Sequence, residues 1–508
     1  MASDTLHMTL SVLDYIPPRN YVRLLFPLPL KPDVKDTLVF RELQLALQKT
    51  FVQEPWISGK VFRQKSSATD WRPGQLEIRY REWSLDDPPP HQLEYRQLNT
   101  DWTYAELRDC GFPSSAFPEE LLLEAPPALG DVTDAGADVF LAQANFLAGG
   151  LLLVFTTSHA STDAAGMLNI FKLWANNFAE LHGRDAGGVA APSRFTPIDR
   201  HRSLPDRIWA KESGGVAGTP KYISQSDDPW LRGLVSLDAD WPGDDLTDAT
   251  QRSIAAGAEP LRHPQIMLSR VMFLSSQDLA DLKKECLVTP TPPGATAISS
   301  SDAINALMWR CILRARASAA NARSCPLKDE VSVFESPIDV RSRLGPDFPQ
   351  DYLGNCFLLN TGRMPLAELI APSTPLGRVA QCLCQGAARL DSATVREAYT
   401  MLRSTPDPSR VQGRFVERGD SSDMLVSNIV HFPMSEINFG DRYFGNGGVP
   451  QSLRVLHASY APYVRLGHIL PRNQTHGGVK ISVNLFDDEM AYLEEDDEFN
   501  RYLVAIEV

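Results

Sequence analysis

One stretch of this 508-residue chain restricts its possible folds more than any other, the segment 151–166 with the sequence LLLVFTTSHASTDAAG. A continuous apolar run that ends in β-branched threonines predicts a strand buried on both faces. Residues 164–179 then place apolar side chains at helical spacing. The segment is therefore predicted to form a strand, a short loop and a helix, and the loop carries His159 and Asp163 in an HxxxD pattern.

The HxxxD spacing alone is weak support for a catalytic site. A histidine near the end of a strand is often a hydrogen-bonded residue beside the core, and an aspartate before a helix is often an ordinary N-cap. For an isolated pattern these structural roles are the better prediction. A catalytic role for His159 therefore requires support from other segments of the chain.

The length of the chain predicts more than one domain. At 508 residues with 43% hydrophobic content, the chain is too long for one ordinary core, and its length suggests two large domains or three small ones. After Gly183 and up to about Pro264, glycine, proline, aspartate and serine are frequent and periodicity is weak, as in a linker. We predict an N-terminal domain at 1–200 with the HxxxD pattern, a crossover linker at 201–264 and a C-terminal domain at 265–508.

Composition argues against several classes of partner. A net charge of −14 and a pI near 5.3 disfavour nucleic acid and anionic membranes as partners. The N-terminus lacks the features of a signal peptide, and the apolar stretch 146–155 is too short to span a bilayer. The seven cysteines are scattered and include no pair of C-x-x-C motifs. We therefore expect a cytoplasmic protein that contacts neither a membrane nor nucleic acid and that holds no metal.

Later segments add polar groups at the ends of predicted elements. The segment 298–317, ISSSDAINALMWRCILRARA, predicts a helix that Ser300 or Ser301 can cap. The segment 331–344 predicts a strand that runs into a charged stretch with two arginines. The segment 424–433, MLVSNIVHFP, and the glycine-rich segment 437–448 follow near the C-terminus. The sequence has neither a G-x-S-x-G elbow nor a Walker-type loop, so a serine hydrolase or a P-loop enzyme lacks its motif.

Several separated segments together resemble the BAHD acyltransferases, particularly their fungal branch. In chain order they are LSVLDYIPPRNY, SHASTD, ISSSDAINALMWRCILRAR, PIDVRSRLGPDFPQDYLGN and INFGD, the last at the position of the DFGWG motif of the family. The resemblance implies an α/β fold of two chloramphenicol-acetyltransferase-like domains. Each is a mixed β-sheet flanked by helices, with an active-site channel at their interface.

The resemblance also implies roles for individual residues. The HxxxD histidine of the family is the general base, which corresponds to His159. The HxxxD aspartate pairs with an arginine, which makes Asp163 structural, with Arg341 or Arg343 as its candidate partner. Ser427 matches the hydroxyl residue to which the family assigns stabilisation of the oxyanion.

Asn428 is a second possible oxyanion donor, and the alternative for Ser427 is a strand-end residue bonded to backbone.

Two departures from the family concern local structure. Ala164 stands where the family often has glycine, and Gly166 follows two residues later. At the DFGWG position the chain reads Asn438, Phe439, Gly440, Asp441, Arg442.

The implied function is acyl transfer from acyl-CoA, with acetyl-CoA as the expected donor, to a hydroxyl group of a fungal secondary metabolite by a monomeric enzyme. Basic residues for the phosphates of coenzyme A are available in the C-terminal half at Lys283, Lys284, Arg314 and Arg316, although most residues of this kind simply form a solvated helix face. No coenzyme A ligand is assigned.

Two alternatives to acyl transfer stay open at this point. The same fold could use His159 for a cyclisation, elimination or isomerisation, because a fold does not fix a reaction. A catalytically silent binding protein is the third possibility, and the presence of both His159 and Asp163 counts against it.

Overall fold

The structure is a computed structural model. It describes residues 5–66, 71–113, 116, 122–123, 135–183, 202–212, 228–237, 266–288, 297–408, 411, 421–456, 465–472 and 477–506.

Strands and helices are labelled in chain order. The strands are β1 (Leu6–Thr9), β2 (Tyr21–Pro29), β3 (Lys60–Arg63), β4 (Leu76–Tyr80), β5 (Leu93–Gln97), β6 (Ala137–Asp138), β7 (Phe140–Leu147), β8 (Gly150–Ser158), β9 (Met267–Leu274), β10 (Val331–Asp339), β11 (Phe357–Pro365), β12 (Met424–Asn428), β13 (Arg454–Leu456), β14 (Leu466–Ile469), β15 (Val479–Phe486) and β16 (Leu503–Ala505). The helices are α1 (Asp36–Gln53), α2 (Tyr104–Asp109), α3 (Ala164–Glu180), α4 (Leu204–Glu212), α5 (Pro229–Leu234), α6 (Ser276–Val288), α7 (Ser300–Ala322), α8 (Leu366–Ile370), α9 (Leu376–Ala388), α10 (Ser392–Ser404), α11 (Asp487–Glu494) and α12 (Asp497–Asn500).

A five-stranded sheet places the HxxxD loop. Its strand order is β13, β2, β8, β7, β5, so the predicted strand 151–157 lies within the central strand β8. Every residue of β8 is buried, as a strand covered on both faces requires. The apolar segment 138–147, joined to the next strand by Ala148, Gly149 and Gly150, predicts a hairpin, and β7 and β8 do pair antiparallel with Leu147 opposite Gly150. His159 therefore directly follows the central strand of a sheet that is covered on both faces.

Helix α3 follows the HxxxD loop and packs back on this sheet. Its aromatic residues join a stack in which the rings of Phe26 and Phe171 are 4.1 Å apart and those of Phe155 and Phe171 are 4.8 Å apart. The indole Nε1 of Trp174 donates to the carbonyl oxygen of Leu43 on α1 at 3.0 Å. Helices α1 and α3 thus form one layer over the sheet, which fixes both ends of the loop between β8 and α3.

A seven-stranded sheet dominates the second half of the chain, with strand order β11, β10, β12, β14, β15, β9, β16. Helix α7 is largely buried against one face of it. The N-cap of this helix is Ser299, which accepts from Asp302 N while the Asp302 carboxylate accepts from Ser299 N at 2.8 Å. The predicted cap, Ser300 or Ser301, is therefore wrong, because the reciprocal capping box needs an acidic residue three positions after the cap.

A four-stranded sheet with the order β1, β4, β3, β6 completes the sheets of the described residues. The segment WISGKVF, Trp56 to Phe62, predicts one strand from its sequence, whereas in the structure Pro55–Ser58 form a 3₁₀ turn and β3 begins at Lys60. The turn forms because Pro55 favours the first helical position and the Trp56 indole donates to the Glu54 carboxylate at 3.1 Å.

The division of the chain into 1–200, 201–264 and 265–508 stays a prediction. Within the predicted linker the described residues include helices α4 and α5. Strand β13, from the C-terminal part of the sequence, pairs antiparallel with β2 of the N-terminal sheet. The two halves of the sequence are thus joined by strand pairing. Among the helices that the structure describes, none combines the length and the hydropathy needed to cross a bilayer.

Candidate active site

The backbone of His159 is held at the end of β8. Its amide donates to the carbonyl oxygen of Asn20 at 2.8 Å, and its own carbonyl oxygen accepts from Asn355 Nδ2 at 3.0 Å. The residue is partly buried. Both bonds link His159 to segments outside its own loop, so the position of the residue depends on contacts that are remote in the sequence.

The orientation of the His159 ring determines which nitrogen can act as a base. Nδ1 lies 3.0 Å from the carbonyl oxygen of Thr162. Because a carbonyl oxygen only accepts hydrogen bonds, Nδ1 carries the proton and the lone pair of the neutral ring lies on Nε2. Burial lowers the pKa of His159, while the bond to Thr162 and the charge of Asp163 act in the opposite direction. The ring is therefore held neutral with Nε2 as the proton acceptor.

Asp163 is fully engaged by the protein. Arg341 forms a bidentate pair with it, through Nη1 to Oδ2 at 3.0 Å and Nη2 to Oδ1 at 2.8 Å. The carboxylate also accepts from Gly166 N at 2.9 Å, as the N-cap of α3, and from Cys356 N at 2.8 Å. These bonds satisfy a buried charge, so Asp163 acts as an anchor of the loop.

Of the two arginines that the resemblance offered, Arg341 is the partner of Asp163. Arg343 instead donates from Nη1 to the carbonyl oxygen of Asp339 at 2.9 Å. Arg341 is further held by the carbonyl oxygens of Tyr352 and Gly354, which accept from Nη2 at 2.9 and 2.8 Å. The buried guanidinium therefore has acceptors on several sides, as a charge in a low-dielectric interior requires.

Gly166 takes the place of the glycine that the family often has after the aspartate. A Cβ at this position would lie 2.4 Å from the carbonyl oxygen of Leu353 and 2.2 Å from Oγ1 of Thr162. Thr162 Oγ1 donates to the same Leu353 oxygen at 2.6 Å. The close approach of segment 352–356 to the first turn of α3 explains why a glycine is needed here, two residues after Ala164.

Ser427 lies on β12, in register with His468 on the parallel strand β14. Alternate residues of β12 face opposite sides of the sheet, and Val426 packs on the α7 side while Leu425 packs against the core that contains β8. Ser427 shares the face of Leu425. Its partly exposed hydroxyl makes no hydrogen bond to any residue in the described ranges.

The three predicted site residues are therefore brought together only in part. His159 and Asp163 share one loop, while Ser427 comes from the second sheet and forms no hydrogen bond with His159 within the described residues. Asn428, the second candidate oxyanion donor, uses its Oδ1 to accept from Val430 N at 3.1 Å.

Three residues that support the loop, directly or through one another, were missed by sequence reasoning, namely Asp14, Arg202 and Asn355. Asp14 and Asn355 lie inside the segments LSVLDYIPPRNY and DYLGN, which carry the resemblance without assigning a role to either residue. Arg202 falls in the predicted linker, where the sequence gives no signal for it.

Two of the four cations considered for coenzyme A are engaged elsewhere. Arg314 pairs with Asp496 at 2.8 Å and Glu498 at 2.7 Å. Arg316 is buried and donates from Nη1 to the carbonyl oxygen of Asp423 at 2.8 Å. Both arginines are held within the C-terminal half, so they are poor candidates for phosphate ligands.

The altered DFGWG position packs on the helix that follows the HxxxD loop. Phe439 is fully buried, and its ring lies 5.4 Å from that of Phe171 and 5.6 Å from that of Phe178, both on α3. Asn438 Oδ1 accepts from Gly440 N at 2.7 Å, which closes the turn. The loop therefore supports α3 from outside the site.

The fold and the site together define an α/β protein in which a neutral histidine of fixed orientation lies at the end of a central strand. A model of the Transferase family matches residues 240–500, and a model of the trichothecene 3-O-acetyltransferase-like N-terminal domain matches residues 21–177. The first match covers more than half of the chain, so the chain belongs to the Transferase family. This confirms the resemblance to the BAHD acyltransferases.

Curated relatives fall into two groups by length. The isocyanide synthase-NRPS hybrid crmA of Aspergillus fumigatus is 28% identical over 97% of this chain, which spans only 31% of crmA. The enoyl-CoA isomerase/hydratase claC of Penicillium crustosum is 25% identical over 96% of this chain, which spans 49% of claC. The eremophilane O-acetyltransferase ORF8 of Penicillium roqueforti is 26% identical, and 98% of each chain is covered.

Among solved structures, the chain is similar to F. graminearum TRI101, crystallised with coenzyme A and deoxynivalenol. The TM-score is 0.70 at 17% identity, and the match covers 99% of this chain and all of that one. At this identity the likeness establishes the fold, and it confirms the predicted two-domain α/β class.

Proposed function

We propose that the protein is an acyl-CoA-dependent O-acyltransferase that moves an acyl group, with acetyl-CoA as the donor, to a hydroxyl group of a fungal secondary metabolite. The observation that carries the proposal is the contact of His159 Nδ1 with the carbonyl oxygen of Thr162, which leaves Nε2 as the base. Membership of the Transferase family and the similarity to an eremophilane O-acetyltransferase support the reaction class.

In the proposed reaction His159 acts as general base. Nε2 takes the proton of the acceptor hydroxyl while the hydroxyl oxygen attacks the thioester carbonyl carbon. A neutral imidazole suits this step, and positioned general-base catalysis is typically worth about 10²- to 10⁴-fold. When the C–S bond breaks, the thiolate of coenzyme A leaves and the imidazolium returns the proton to it, so the ring is neutral again after each turnover.

The oxyanion that forms on the former thioester carbonyl needs a donor, and we assign this role to the hydroxyl of Ser427. Two observations support the assignment. The hydroxyl is not used in a hydrogen bond by any described residue, and its face of the sheet is directed to the half of the protein that carries His159. One such donor contributes about 10²- to 10³-fold in rate.

Several further features belong to the proposal. The two domains are those at 1–200 and 265–508, the enzyme is a monomer that needs no metal, and the acceptor enters a channel between the domains. We place the reaction in the cytoplasm, because the seven cysteines are free and acyl-CoA donors are available there.

The test uses acetyl-CoA as the probe. Purified protein is incubated with acetyl-CoA and a panel of hydroxylated terpenoids and polyketides, and release of the free thiol is followed together with the mass of the products. We expect acetylated product and thiol in equal amounts. His159→Ala should lower the rate at least about 10²-fold, and Ser427→Ala by a similar factor, without change in the folded state.

The matched control for His159→Ala is His91→Ala, because His91 is exposed and outside the HxxxD loop. It should retain the wild-type rate. If acetyl-CoA neither binds nor releases thiol, while an acceptor changes mass by isomerisation or elimination, the alternative non-acyl reaction replaces the proposal. Near-wild-type turnover of His159→Ala would remove this residue from the mechanism.

A further inference from the structure

A second buried ion pair lies under the HxxxD loop, separate from the pair between Asp163 and Arg341. Asp14 and Arg202 are 1% and 3% exposed, and Nη1 of Arg202 lies 2.9 Å from Oδ1 of Asp14. Asp14 also accepts from the amide of Ser11 at 2.8 Å. Removing two charges from water into a buried site is costly, so a buried ion pair is weak evidence for a gain in stability. It is better explained by a role in holding neighbouring groups in position.

The pair holds two carbonyl groups of the HxxxD loop. Asn355 Nδ2 donates to Asp14 Oδ1 at 2.8 Å and to the carbonyl oxygen of His159 at 3.0 Å. Nη2 of Arg202 donates to the carbonyl oxygen of Ser161. The carbonyl groups of His159 and Ser161 are therefore tied, directly or through one amide, to the same buried pair.

The Ser161 carbonyl directly precedes the residue whose carbonyl orients the catalytic ring. The carbonyl oxygen of Thr162 accepts from His159 Nδ1, and it lies between Ser161, which Arg202 holds, and Asp163, which Arg341 holds. The Ser161 carbonyl and the Asp163 side chain are thus held on either side of Thr162, which restricts movement of the Thr162 carbonyl away from the ring. The tautomer and direction of His159 thus depend on residues that do not touch the ring.

We propose that Asp14, Arg202 and Asn355 are positioning residues that fix the direction of the His159 ring by holding the His159 and Ser161 carbonyls. The proposal rests on the proposed role of His159 as the general base. Since a displacement of about 1 Å in a reacting group can cost about 10²-fold in rate, loosening this support should lower kcat while leaving substrate binding nearly intact.

The main test variant is Asn355→Ala, which removes the bridge between Asp14 and His159 and leaves the ion pair in place. Asp14→Asn is the second variant, because it keeps the shape of the side chain and removes its charge. The matched control for the first is Asn360→Ala, since Asn360 is also buried and donates from Nδ2 to a carbonyl oxygen, that of Leu383, at 3.0 Å.

The control for Asp14→Asn is Glu489→Gln. Glu489 forms a buried bidentate pair with Arg465 at 2.6 and 2.7 Å, away from the HxxxD loop. Controls of equal burial separate a general loss of stability from a loss of positioning.

Two readouts are used for each variant. The first is the split between kcat and the KM for acetyl-CoA. The second is the ¹⁵N chemical shift of the His159 imidazole, assigned by its absence in His159→Ala, which reports whether Nδ1 or Nε2 carries the proton. The second readout needs no acyl transfer, so failure of the proposed reaction and failure of the positioning role give different results.

We expect Asn355→Ala to lower kcat about 10-fold or more, to change KM by less than about twofold, and to mix the two tautomers of His159. The controls should keep the wild-type kcat and a single Nδ1-protonated ring. A wild-type kcat in Asn355→Ala would overturn the proposal, and so would a reduced kcat with an unchanged tautomer. If Asp14→Asn does not fold, Asn355→Ala alone decides.

Discussion

Arg341 and Asp163 lie 178 positions apart in the sequence and meet in a buried bidentate ion pair, with Nη2 of the arginine 2.8 Å from Oδ1 of the aspartate. Arg341 follows the end of β10 in the seven-stranded sheet, and Asp163 begins the helix after β8 in the five-stranded sheet. The pair therefore joins the two sheets at the residue that closes the HxxxD loop.

Replacement of Asp163 by asparagine should damage stability. The variant leaves Arg341 as a buried cation with only carbonyl acceptors and the Asp339 carboxylate, and removal of one partner of a buried pair costs about 3 to 5 kcal/mol. We expect a lower melting temperature and lower soluble yield, measured by thermal and chemical unfolding. The exposed pair of Glu368 and Arg378 serves as the control, since Glu368→Gln should change the free energy of unfolding by less than about 1 kcal/mol. A rate loss at unchanged stability would point to a direct catalytic part for Asp163.

The pH dependence of the reaction should reflect the burial of His159. Burial lowers its pKa, and the base is active only when it is unprotonated. The acid limb of kcat/KM should therefore fall below the ordinary histidine value of about 6.5, and the rate should be constant through neutral pH and decline only as the solution becomes more acidic. A pH profile of thiol release from acetyl-CoA measures this directly. An acid limb above about 6.5 would contradict the assignment of His159 as the base.

Acid destabilisation should depend on His468, which lies beside Ser427. Burial lowers the pKa of His468 to about 3, so the folded protein leaves this ring neutral where the unfolded chain protonates it. Stability is lost as the pH falls from about 6.5 towards 3, at up to about 1.4 kcal/mol per pH unit for this residue. His468→Gln should flatten that slope in urea unfolding series, whereas His91→Gln should not, because His91 is exposed. Equal slopes in both variants would show that His468 is protonated in the folded state.

Periodicity predicted the parts of the fold in which local sequence decides structure. The buried strand at β8, its hairpin with β7 and the amphipathic helix α3 follow from apolar runs and helical spacing, and they occur as expected. Boundaries decided by capping or a turn were harder, as Ser299 and the Pro55–Ser58 turn illustrate. In both places a side-chain hydrogen bond to a neighbouring residue overrides the periodic pattern.

The residues that support the HxxxD loop could not be predicted from any single segment of the sequence. Arg202 lies in a stretch that reads as a linker, yet its guanidinium reaches the HxxxD loop. Asn355 sits in a turn-rich segment where an asparagine is ordinary, and its amide bridges Asp14 and His159 only because three distant segments meet there. Contacts of this kind depend on tertiary structure, and hydrophobic periodicity in the sequence does not predict them.

At Gly166 the first turn of α3 meets segment 352–356. Alanine is the better helix former by about 1 kcal/mol, so Gly166→Ala would stabilise the protein if propensity alone decided. The added Cβ would, however, lie 2.4 Å from the backbone oxygen of Leu353, and backbone cannot move aside as a flexible side chain can. Helix α3 would have to move away from Leu353, which would stretch the hydrogen bond from Gly166 N to the Asp163 carboxylate and the one from the Thr162 hydroxyl to the Leu353 carbonyl oxygen. We therefore expect a loss of about 1 to 3 kcal/mol in urea unfolding together with a reduced kcat. Gly445→Ala is the matched control, because its Cβ would meet neighbours no nearer than 3.5 Å, and it should be close to wild type. A stabilised Gly166→Ala with normal turnover would show that segment 352–356 does not constrain the loop.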